Sequence, residues 1–372
     1  MKVSPKARRN ISRITPFAVI WLVAGWITDI SEIGITRNQN LNPDTDISFT
    51  IPVLIFASLA NVLVGLIVGA LEVVYLEKRF SNQTLWAKIF YKFLTYLTLI
   101  IIIIVIAYPV AFSLESGISL FKVDAWQQLG RFLISISFLI TLFHLSVRLI
   151  LSLIYSAISE NLGHHLFLNF FFGKYHRPKI EKRIFMFLDM KSSTTIAEAL
   201  GHIKYFKLLD TYYKIMSDPI INSFGEVYQY IGDEIVISWK PEKGINQANC
   251  IKCFFDIRDQ LYEQKEAFLK EYGFEIGFKA GIHFGEVTIG EIGDLKKEIV
   301  FTGDVLNMTA RIQSLCNELK SDLLISSAIK EKLPDSVYQY SSKGEIELKG
   351  RNKKEELFSV TLDKQPTNMN NL

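Results

Sequence analysis

Residues 184–195 read IFMFLDMKSSTT, an apolar run followed at once by an aspartate and a short polar segment. The apolar run at 184–188 predicts a buried β-strand. Asp189 stands where that strand ends, and a helix is predicted to follow over 195–216. A strand that leads directly into a helix is typical of a sheet covered by helices, so this stretch predicts an α+β domain.

The alternation of strand and helix continues downstream. Thr195 and Glu198, at the start of the first helix, have the spacing of a capping box. Residues 227–231 and 235–239 predict a hairpin that turns at Gly232-Asp233. The remaining predicted elements are a helix at 246–272, strands at 276–283 and 286–290, a helix at 304–319, and strands near 323–325 and 345–348. This order indicates helices packed over one sheet.

The N-terminal half of the chain is much more apolar. The chain has 372 residues, of which 49% are hydrophobic, and its mean hydropathy is +0.22, which points away from a purely soluble protein. Four apolar segments lie at 14–27, 51–75, 89–112 and 132–155. The last three reach the roughly 20 residues that a helix needs to cross a bilayer. The first is shorter, and an interfacial helix is the alternative there.

Basic residues around these segments predict the orientation. Lys and Arg cluster before the first segment and after the second, whereas the loops at 29–50 and 113–130 carry few of them. Because basic loops stay in the cytoplasm, both ends of the chain are predicted to lie inside the cell. A small-residue cleavage site does not follow the first segment, so we expect a multi-pass anchor in the inner (plasma) membrane, with membrane lipid as a partner.

Two ionisable residues fall inside the fourth segment. His144 and Arg148 are spaced i,i+4, and such a pair in a membrane helix can mark a ligand or proton site. Arg148 lies near the predicted inner end of the segment. That position favours a side chain that snorkels to the interface.

An aromatic-rich stretch follows the membrane segments and contains Phe167, Phe170, Phe171 and Phe172. We interpret it as a helical connector that packs against a partner helix or lies on the membrane surface. The predicted organisation is a membrane domain at 1–155, the connector at 156–181, an α+β domain at 182–362 and a polar tail at 363–372.

The cysteines and the charge balance exclude two classes of protein. Cys250, Cys253 and Cys316 are an odd, sparse set, which suits a reducing compartment better than a disulfide scaffold. Cys250 and Cys253 lack two further ligands at metal spacing, so we interpret them as core residues. A net charge of +3 without a basic stripe argues against nucleic acid as a partner.

Two aspartates stand at predicted strand ends. Asp189 ends the first strand, and Asp233 occupies the tip of the hairpin. Mg²⁺ typically binds one or two carboxylates together with phosphate oxygens, so the pair are candidate ligands of a two-metal centre. Taken singly, Asp233 also fits an ordinary turn residue and Asp189 a helix cap.

Two further sets of polar residues are candidates for binding phosphate. The first is the run Lys191, Ser192, Ser193 and Thr194. Free backbone N–H groups at a helix start attract anions, so this run is a candidate triphosphate site, with a simple capped helix as the alternative. The second set is Asn307 and Arg311, which are spaced i,i+4 beside the buried stripe of a later helix. Arg311 there can neutralise charge on a phosphoryl group, whereas a solvated helix face is the alternative.

As a set, these residues resemble the catalytic domain of the class III adenylate and guanylate cyclases. The resemblance covers about residues 183–360, and five motifs occur in the family's order. They are FLDMKSST at 187–194, YIGDE at 230–234, GIHFGEV at 281–287, GDVLNMTAR at 303–311 and LKGR at 348–351. The resemblance implies a ferredoxin-like α+β catalytic domain. Together with the four apolar segments, the predicted fold is a multi-pass α-helical membrane domain followed by this catalytic domain.

The resemblance also implies a reaction and an assembly. ATP would be converted to 3′,5′-cyclic AMP and pyrophosphate by in-line attack of the ribose 3′ oxygen, with two Mg²⁺ (or Mn²⁺) ions per site. The implied roles are metal binding for Asp189 and Asp233, ribose orientation and transition-state stabilisation for Asn307 and Arg311, and triphosphate binding for Lys349 or Arg351. The family builds each site across a two-fold interface, so a homodimer with composite sites is implied.

The base preference is less well defined. The family's base-reading positions align with Gln229 and Val300, where its adenylate cyclases generally carry Lys and Asp or Thr. Gln229 offers a hydrogen-bond donor and an acceptor, whereas the side chain of Val300 offers neither. ATP is expected from its prevalence in the family, and GTP stays the alternative.

Two other hypotheses remain. A diguanylate cyclase carries a similar glycine-rich hairpin but has no counterpart of Asn307 and Arg311. A receptor or scaffold with the cyclase fold and no activity is the second, and the presence of both aspartates with Asn307 and Arg311 argues against it.

Overall fold

The computed structural model describes residues 4–36, 50–76, 79, 85–162, 173–334, 338–347 and 354–362. The chain divides into two compact units. One is Ala7–Leu168, and the other combines Met1–Lys6 with Asn169–Leu372. The connector phenylalanines Phe167, Phe170, Phe171 and Phe172 and the predicted polar tail lie outside the described residues.

The N-terminal unit is built from helices. They are α1 (Pro5–Thr36), α2 (Ile51–Ala70, continued by a π-helical segment at Leu71–Leu76), α3 (Leu85–Ser116), α4 (Val123–Leu133) and α5 (Ile136–Leu162). Within the described residues, four stretches are long and apolar enough to cross a membrane, namely Pro5–Ser31, Ile51–Leu76, Phe90–Ser116 and Ile136–Glu160. They coincide with the four predicted segments.

Helix α1 belongs to the core of this unit. Phe17 and Trp21 are each 1% exposed, and the Phe17 ring packs edge-on against Tyr155 of α5 at 5.1 Å. The Trp21 indole donates a hydrogen bond to the hydroxyl of Ser152 at 2.9 Å. A helix packed in this way is better suited to spanning than to the interfacial alternative.

Arg148 points into the helical bundle. Its side chain is buried, one guanidinium nitrogen donates to Asn61 Oδ1 at 2.7 Å, and another contacts the hydroxyl of Thr28. The prediction that it snorkels to the interface was wrong, because polar groups on α1 and α2 bond two of its guanidinium nitrogens inside the bundle.

A second polar cluster surrounds Glu72 in the π-helical segment. Glu72 is 1% exposed. Its carboxylate pairs with Lys92 Nζ at 2.5 Å, accepts a bond from the hydroxyl of Ser156 at 3.1 Å, and contacts the hydroxyl of Tyr96. The cluster joins α2, α3 and α5.

The C-terminal unit is an α+β domain. Its strands are β1 (Lys179–Met190), β2 (Glu226–Ile231), β3 (Glu234–Trp239), β4 (Phe278–Ile292), β5 (Glu298–Thr302), β6 (Leu323–Ser326), β7 (Tyr338–Glu347) and β8 (Lys354–Leu362). Its helices are α6 (Ser193–Asn222), α7 (Pro241–Ile245), α8 (Asn249–Glu263), α9 (Lys265–Tyr272), α10 (Asp304–Ser314) and α11 (Ser327–Lys330).

The described strands form one eight-stranded sheet in the order β2-β3-β1-β4-β6-β8-β7, with β5 paired to β4. Strand β1 is antiparallel to both β3 and β4. The order β2-β3-β1-β4, with α6 after β1 and α8 after β3, is a ferredoxin-like arrangement, as predicted.

The two faces of β1 contact different layers. Ile184, Met186 and Leu188 pack with α6 and α8 in the main core, whereas Phe185 and Phe187 pack with Val305 of α10. Successive side chains of a strand alternate between its two faces, so Asp189 shares a face with Phe185 and Phe187. It therefore lies on the face that α10 covers.

The two cysteines of α8 belong to the main core. Cys250 and Cys253 are fully buried, and burial raises the pKa of each thiol to about 12. A thiol kept protonated is a poor metal ligand, which agrees with their interpretation as core residues.

Several predicted elements differ from those observed. The strands predicted at 276–283 and 286–290 are the single strand β4, because its ladder with β1 runs without a break from Phe278 to Ile289. The helix predicted at 246–272 is interrupted at Gln264, where ψ is 6°. Strand β1 begins at Lys179, inside the range assigned to the connector.

Candidate active site

Asp189 lies at the end of β1 and is held from both sides. Its register partners are Glu234 on β3 and Lys279 on β4. The amide of Gln313 on α10 donates to Asp189 Oδ2 at 3.0 Å, and Lys279 Nζ lies 3.6 Å from the same oxygen. Residues of two elements, α10 and β4, therefore hold this carboxylate.

Asp233 occupies the two-residue turn between β2 and β3. Gly232 adopts a φ of 64°, a left-handed conformation that glycine tolerates best. The hydroxyl of Tyr213 on α6 donates to the carbonyl of Gly232 at 2.8 Å, which ties the turn to the helix. Asp233 Oδ2 is buried and has no hydrogen-bond partner among the described residues.

The electrostatics of this corner favour a bound cation. Burial raises the pKa of Asp189, and the neighbouring Asp233 carboxyl raises it further, while Lys279 and Gln313 lower it. Burial and the charges of both aspartates raise the pKa of Glu234 to about 7. The negative charge of the site is therefore incompletely compensated by protein groups, and a divalent cation would compensate it.

The two aspartates do not form a complete metal site by themselves. Within the described part of the chain, no group of three or more His, Cys, Asp and Glu side chains is arranged to hold a metal ion. A Mg²⁺ ion bound here would need oxygens from water or a ligand, which is its usual arrangement with phosphates. The unpartnered oxygen of Asp233 fits such an ion.

The polar run after β1 forms the start of α6. Ser192 is the residue before the helix and has a φ of 56°, and Ser193 and Thr194 begin the first turn. The capping-box prediction was wrong, because the helix starts two residues before Thr195 and no side-chain cap bond forms. Lys191 Nζ pairs with Asp322 Oδ1 at 2.5 Å, so its charge is already partnered.

Helix α10 carries the predicted Asn307 and Arg311. Asn307 is exposed and Arg311 is half-buried, while Val305, Met308 and Ile312 form the buried face. Among the described residues, neither Asn307 nor Arg311 makes a side-chain hydrogen bond or an ion pair with the two aspartates. Gln313, which the sequence did not single out, is the residue of α10 that reaches Asp189.

The base-reading candidates lie on β2 and β5. Gln229 is exposed and Val300 is half-buried. Their neighbours connect the two strands, because the Tyr228 and Phe301 rings lie 4.6 Å apart and the Phe301 N–H donates to the Tyr228 hydroxyl at 3.2 Å. Lys349 and Arg351 lie outside the described residues.

Comparison with known proteins decides the family. The family model for the Adenylate and Guanylate cyclase catalytic domain matches residues 176–361, half of the chain. The chain belongs to this cyclase family. The matched region contains Asp189 and Asp233, the start of α6 and the whole of α10, so all of these lie in the cyclase domain.

Curated relatives of this cyclase domain carry adenylate cyclase names. The chain is 35% identical over 205 residues to Adenylate cyclase 2 of Rhizobium meliloti (strain 1021), covering 55% of this chain and 56% of that protein. It is 24% identical over 179 residues to Adenylate cyclase 1 of the same organism, covering 47% and 27%. The matches thus span about half or less of these relatives.

A solved structure shares the fold of the cyclase. A bacterial light-regulated adenylyl cyclase aligns with a TM-score of 0.53 at 21% sequence identity, covering 61% of this chain and 67% of that one. At that identity the likeness establishes the fold alone.

Two residues that contact Asp189, Lys279 and Gln313, were not predicted from the sequence. Lys279 is a charged residue in the apolar first part of β4, and Gln313 is a polar residue beside the apolar stripe of α10. A polar side chain next to buried apolar residues was the signal in the sequence that could have identified them. Their convergence on Asp189 depends on the β1–β4 register and on the packing of α10, which no local pattern reveals.

Proposed function

We propose that this chain converts ATP to 3′,5′-cyclic AMP and pyrophosphate. The observation that carries the proposal is the pair Asp189 and Asp233, brought together with one buried oxygen of Asp233 left unpartnered. Burying an unpaired anionic oxygen is unfavourable unless a cation binds it. The family of the catalytic domain and the names of its curated relatives support the choice of reaction.

In this proposal Asp189 and Asp233 would hold two Mg²⁺ or Mn²⁺ ions, with further oxygens from water and the triphosphate. Bound there, the ions would lower the pKa of the ribose 3′-hydroxyl and neutralise the triphosphate. The new bond joins the 3′ oxygen to the α-phosphorus, the bond to pyrophosphate breaks, and the hydroxyl proton leaves to solvent. Lys279 adds positive charge at the same edge, beside Asp189.

A second copy of the chain supplies the remaining groups in this proposal. Asn307 is exposed and Arg311 is half-buried on α10, and among the described residues neither bonds to the aspartates of its own chain. In a homodimer related by two-fold symmetry, α10 of one protomer can face the aspartates of the other. Asn307 would then orient the ribose, and Arg311 would stabilise the charge that develops on the α-phosphoryl group.

Gln229 and Val300 are proposed to contact the base. Gln229 can bond the edge of either purine, and Val300 contributes only shape. Adenine is preferred in this proposal because the relative that matches at 35% identity is named an adenylate cyclase.

The N-terminal unit is proposed to anchor the enzyme in the inner membrane. Its four apolar helices are long enough to span the bilayer. Under the positive-inside rule, the lysines and arginines that precede the apolar segment at 14–27 and those that follow α2 support a cytoplasmic location for both ends of the chain.

The test is a product analysis with the full chain purified in uncharged detergent. The protein is incubated with ATP or GTP and with Mg²⁺ or Mn²⁺, and products are identified by mass spectrometry. We expect cyclic AMP and pyrophosphate in equal amounts, and neither without metal. Cyclic GMP alone would correct the base, and no product under any condition would favour the inactive scaffold.

A further inference from the structure

Gln313 is a buried polar residue at the inner surface of α10. It is 6% exposed, and its side-chain amide donates to Asp189 Oδ2 at 3.0 Å. Buried amides are almost always hydrogen-bonded, because an unpaired buried donor is costly. The contact links residues that are 124 positions apart in the sequence, so it exists only in the folded domain.

The position of Gln313 is fixed by backbone packing. A Cβ atom at Gly281 of β4 would lie 2.5 Å from the backbone nitrogen of Gln313 and 2.9 Å from the carbonyl oxygen of Thr309. Glycine therefore allows α10 to lie directly on β4. Gly281 is paired with Phe187 of β1, two residues before Asp189, which brings the Gln313 side chain within reach of the carboxylate.

This contact constrains the geometry of Asp189. One oxygen of the carboxylate accepts the Gln313 bond, so the rotation of the carboxyl group is restricted and the other oxygen has a defined direction. Groups that bond to a metal ligand in this way orient it, and their loss typically weakens metal binding about 10- to 100-fold.

The same helix carries residues with a different role on its outer side. Asn307 and Arg311 lie on the accessible side of α10, whereas Gln313 faces the sheet. Resting on the proposed function, we propose that Gln313 is a positioning residue that orients Asp189 for metal binding, so that α10 supports the metal site of its own chain while Asn307 and Arg311 serve the site of the partner.

The test measures metal binding directly. Mn²⁺ is titrated against the full chain in uncharged detergent, and free Mn²⁺ is followed by electron paramagnetic resonance. Gln313→Met keeps the length of the side chain and removes the donor, while Gln313→Asn keeps the amide but shortens the reach. Gln260→Met makes the same chemical change at a half-buried position of α8 and serves as the control.

We expect both Gln313 variants to raise the dissociation constant for Mn²⁺ about 10- to 100-fold. The Gln260→Met protein should bind like the wild type, and thermal unfolding of Gln313→Met should be nearly unchanged. Turnover of Gln313→Met should recover at saturating Mn²⁺, which a misfolded site would not do. A packing role predicts the opposite pattern, with Gln313→Met normal and only Gln313→Asn impaired.

Asp189→Asn separates this inference from the proposed function. If the wild type binds Mn²⁺, Asp189→Asn does not, and Gln313→Met binds like the wild type, the role of Gln313 is refuted while the metal site stands. If Asp189→Asn binds Mn²⁺ like the wild type, the metal site is wrong and the role of Gln313 falls with it.

Discussion

The two aspartates are held in different ways. Asp189 is fixed by Gln313 and Lys279, whereas Asp233 sits in a turn that Tyr213 ties to α6. Both are half-buried, and neither contributes to the apolar core. Replacing their charge should therefore alter chemistry much more than folding.

The first prediction concerns these charges. Asp189→Asn and Asp233→Asn keep the shape of the side chain and remove a metal-binding oxygen, so cyclic AMP formation should fall by more than about 100-fold. Thermal unfolding should stay close to that of the wild type. The control is Asp210→Asn, whose exposed pair with Lys214 should contribute little. Near-normal turnover in either site variant would rule out the metal assignment.

A second prediction concerns the base. In Gln229→Glu, a carboxylate would accept bonds from the guanine N1 and N2 donors and repel the adenine N1 acceptor. The ratio of kcat/KM for ATP to that for GTP should therefore fall about 10-fold or more. Gln339→Glu, at an exposed position of β7, should leave the ratio unchanged. An unaltered ratio in Gln229→Glu would refute the base-reading role.

At the level of elements, the Glu72 cluster joins three helices of the N-terminal unit. Because Glu72 is buried beside Lys92, removing one partner leaves an uncompensated charge. Glu72→Leu should destabilise the unit by about 3–5 kcal/mol, and the double change with Lys92→Leu should recover much of the loss.

Unfolding of the full chain in detergent, followed by tryptophan fluorescence, measures this effect. Glu160→Leu, at an exposed position of α5, is the control and should be near neutral. If Glu72→Leu is as stable as that control, the cluster does not hold the helices together.

Local patterns predicted some elements well. The apolar run before Asp189 predicted β1, and the Gly-Asp turn after β2 predicted the hairpin. Each of these signals is contained within a few residues. Strand β8 was not predicted, because the consecutive charged residues Lys354, Glu355 and Glu356 interrupt the alternation of polar and apolar residues that is typical of a strand. Strand β4 was divided at Gly285, although its pairing with β1 continues through that residue.

The candidate site was only partly predictable, because local sequence patterns reveal single residues but not the contacts between distant segments. Asp189, Asp233, Asn307 and Arg311 stood out because they fall at strand ends or on one helix face. The contact of Gln313 with Asp189 and the burial of Arg148 depend on packing between distant segments. Local sequence does not encode which helix covers which strand.

At the scale of the whole molecule, the first prediction concerns membrane orientation. A reporter fused after Leu372 and another inserted near Asn82 should both report the cytoplasm, because the surrounding lysines and arginines are retained there. A reporter inserted at Gly117, between α3 and α4, should report the opposite side. A periplasmic signal at either of the first two positions would refute the orientation.

The composite site is the central claim. It requires Asp233 of one protomer and Arg311 of the other in each active site, so Asp233→Ala and Arg311→Ala should each be inactive alone. A mixed dimer would hold one site with both residues intact and one site with neither.

Coexpression of the two variants in equal amounts, followed by cyclic AMP measurement, tests this claim most directly. Random pairing makes about half of the dimers mixed, each with one of two sites intact, so activity should return to roughly a quarter of the wild type. Different tags on the two chains allow the mixed dimers to be isolated and verified. Verified mixed dimers with no more activity than the separate variants would contradict the shared site.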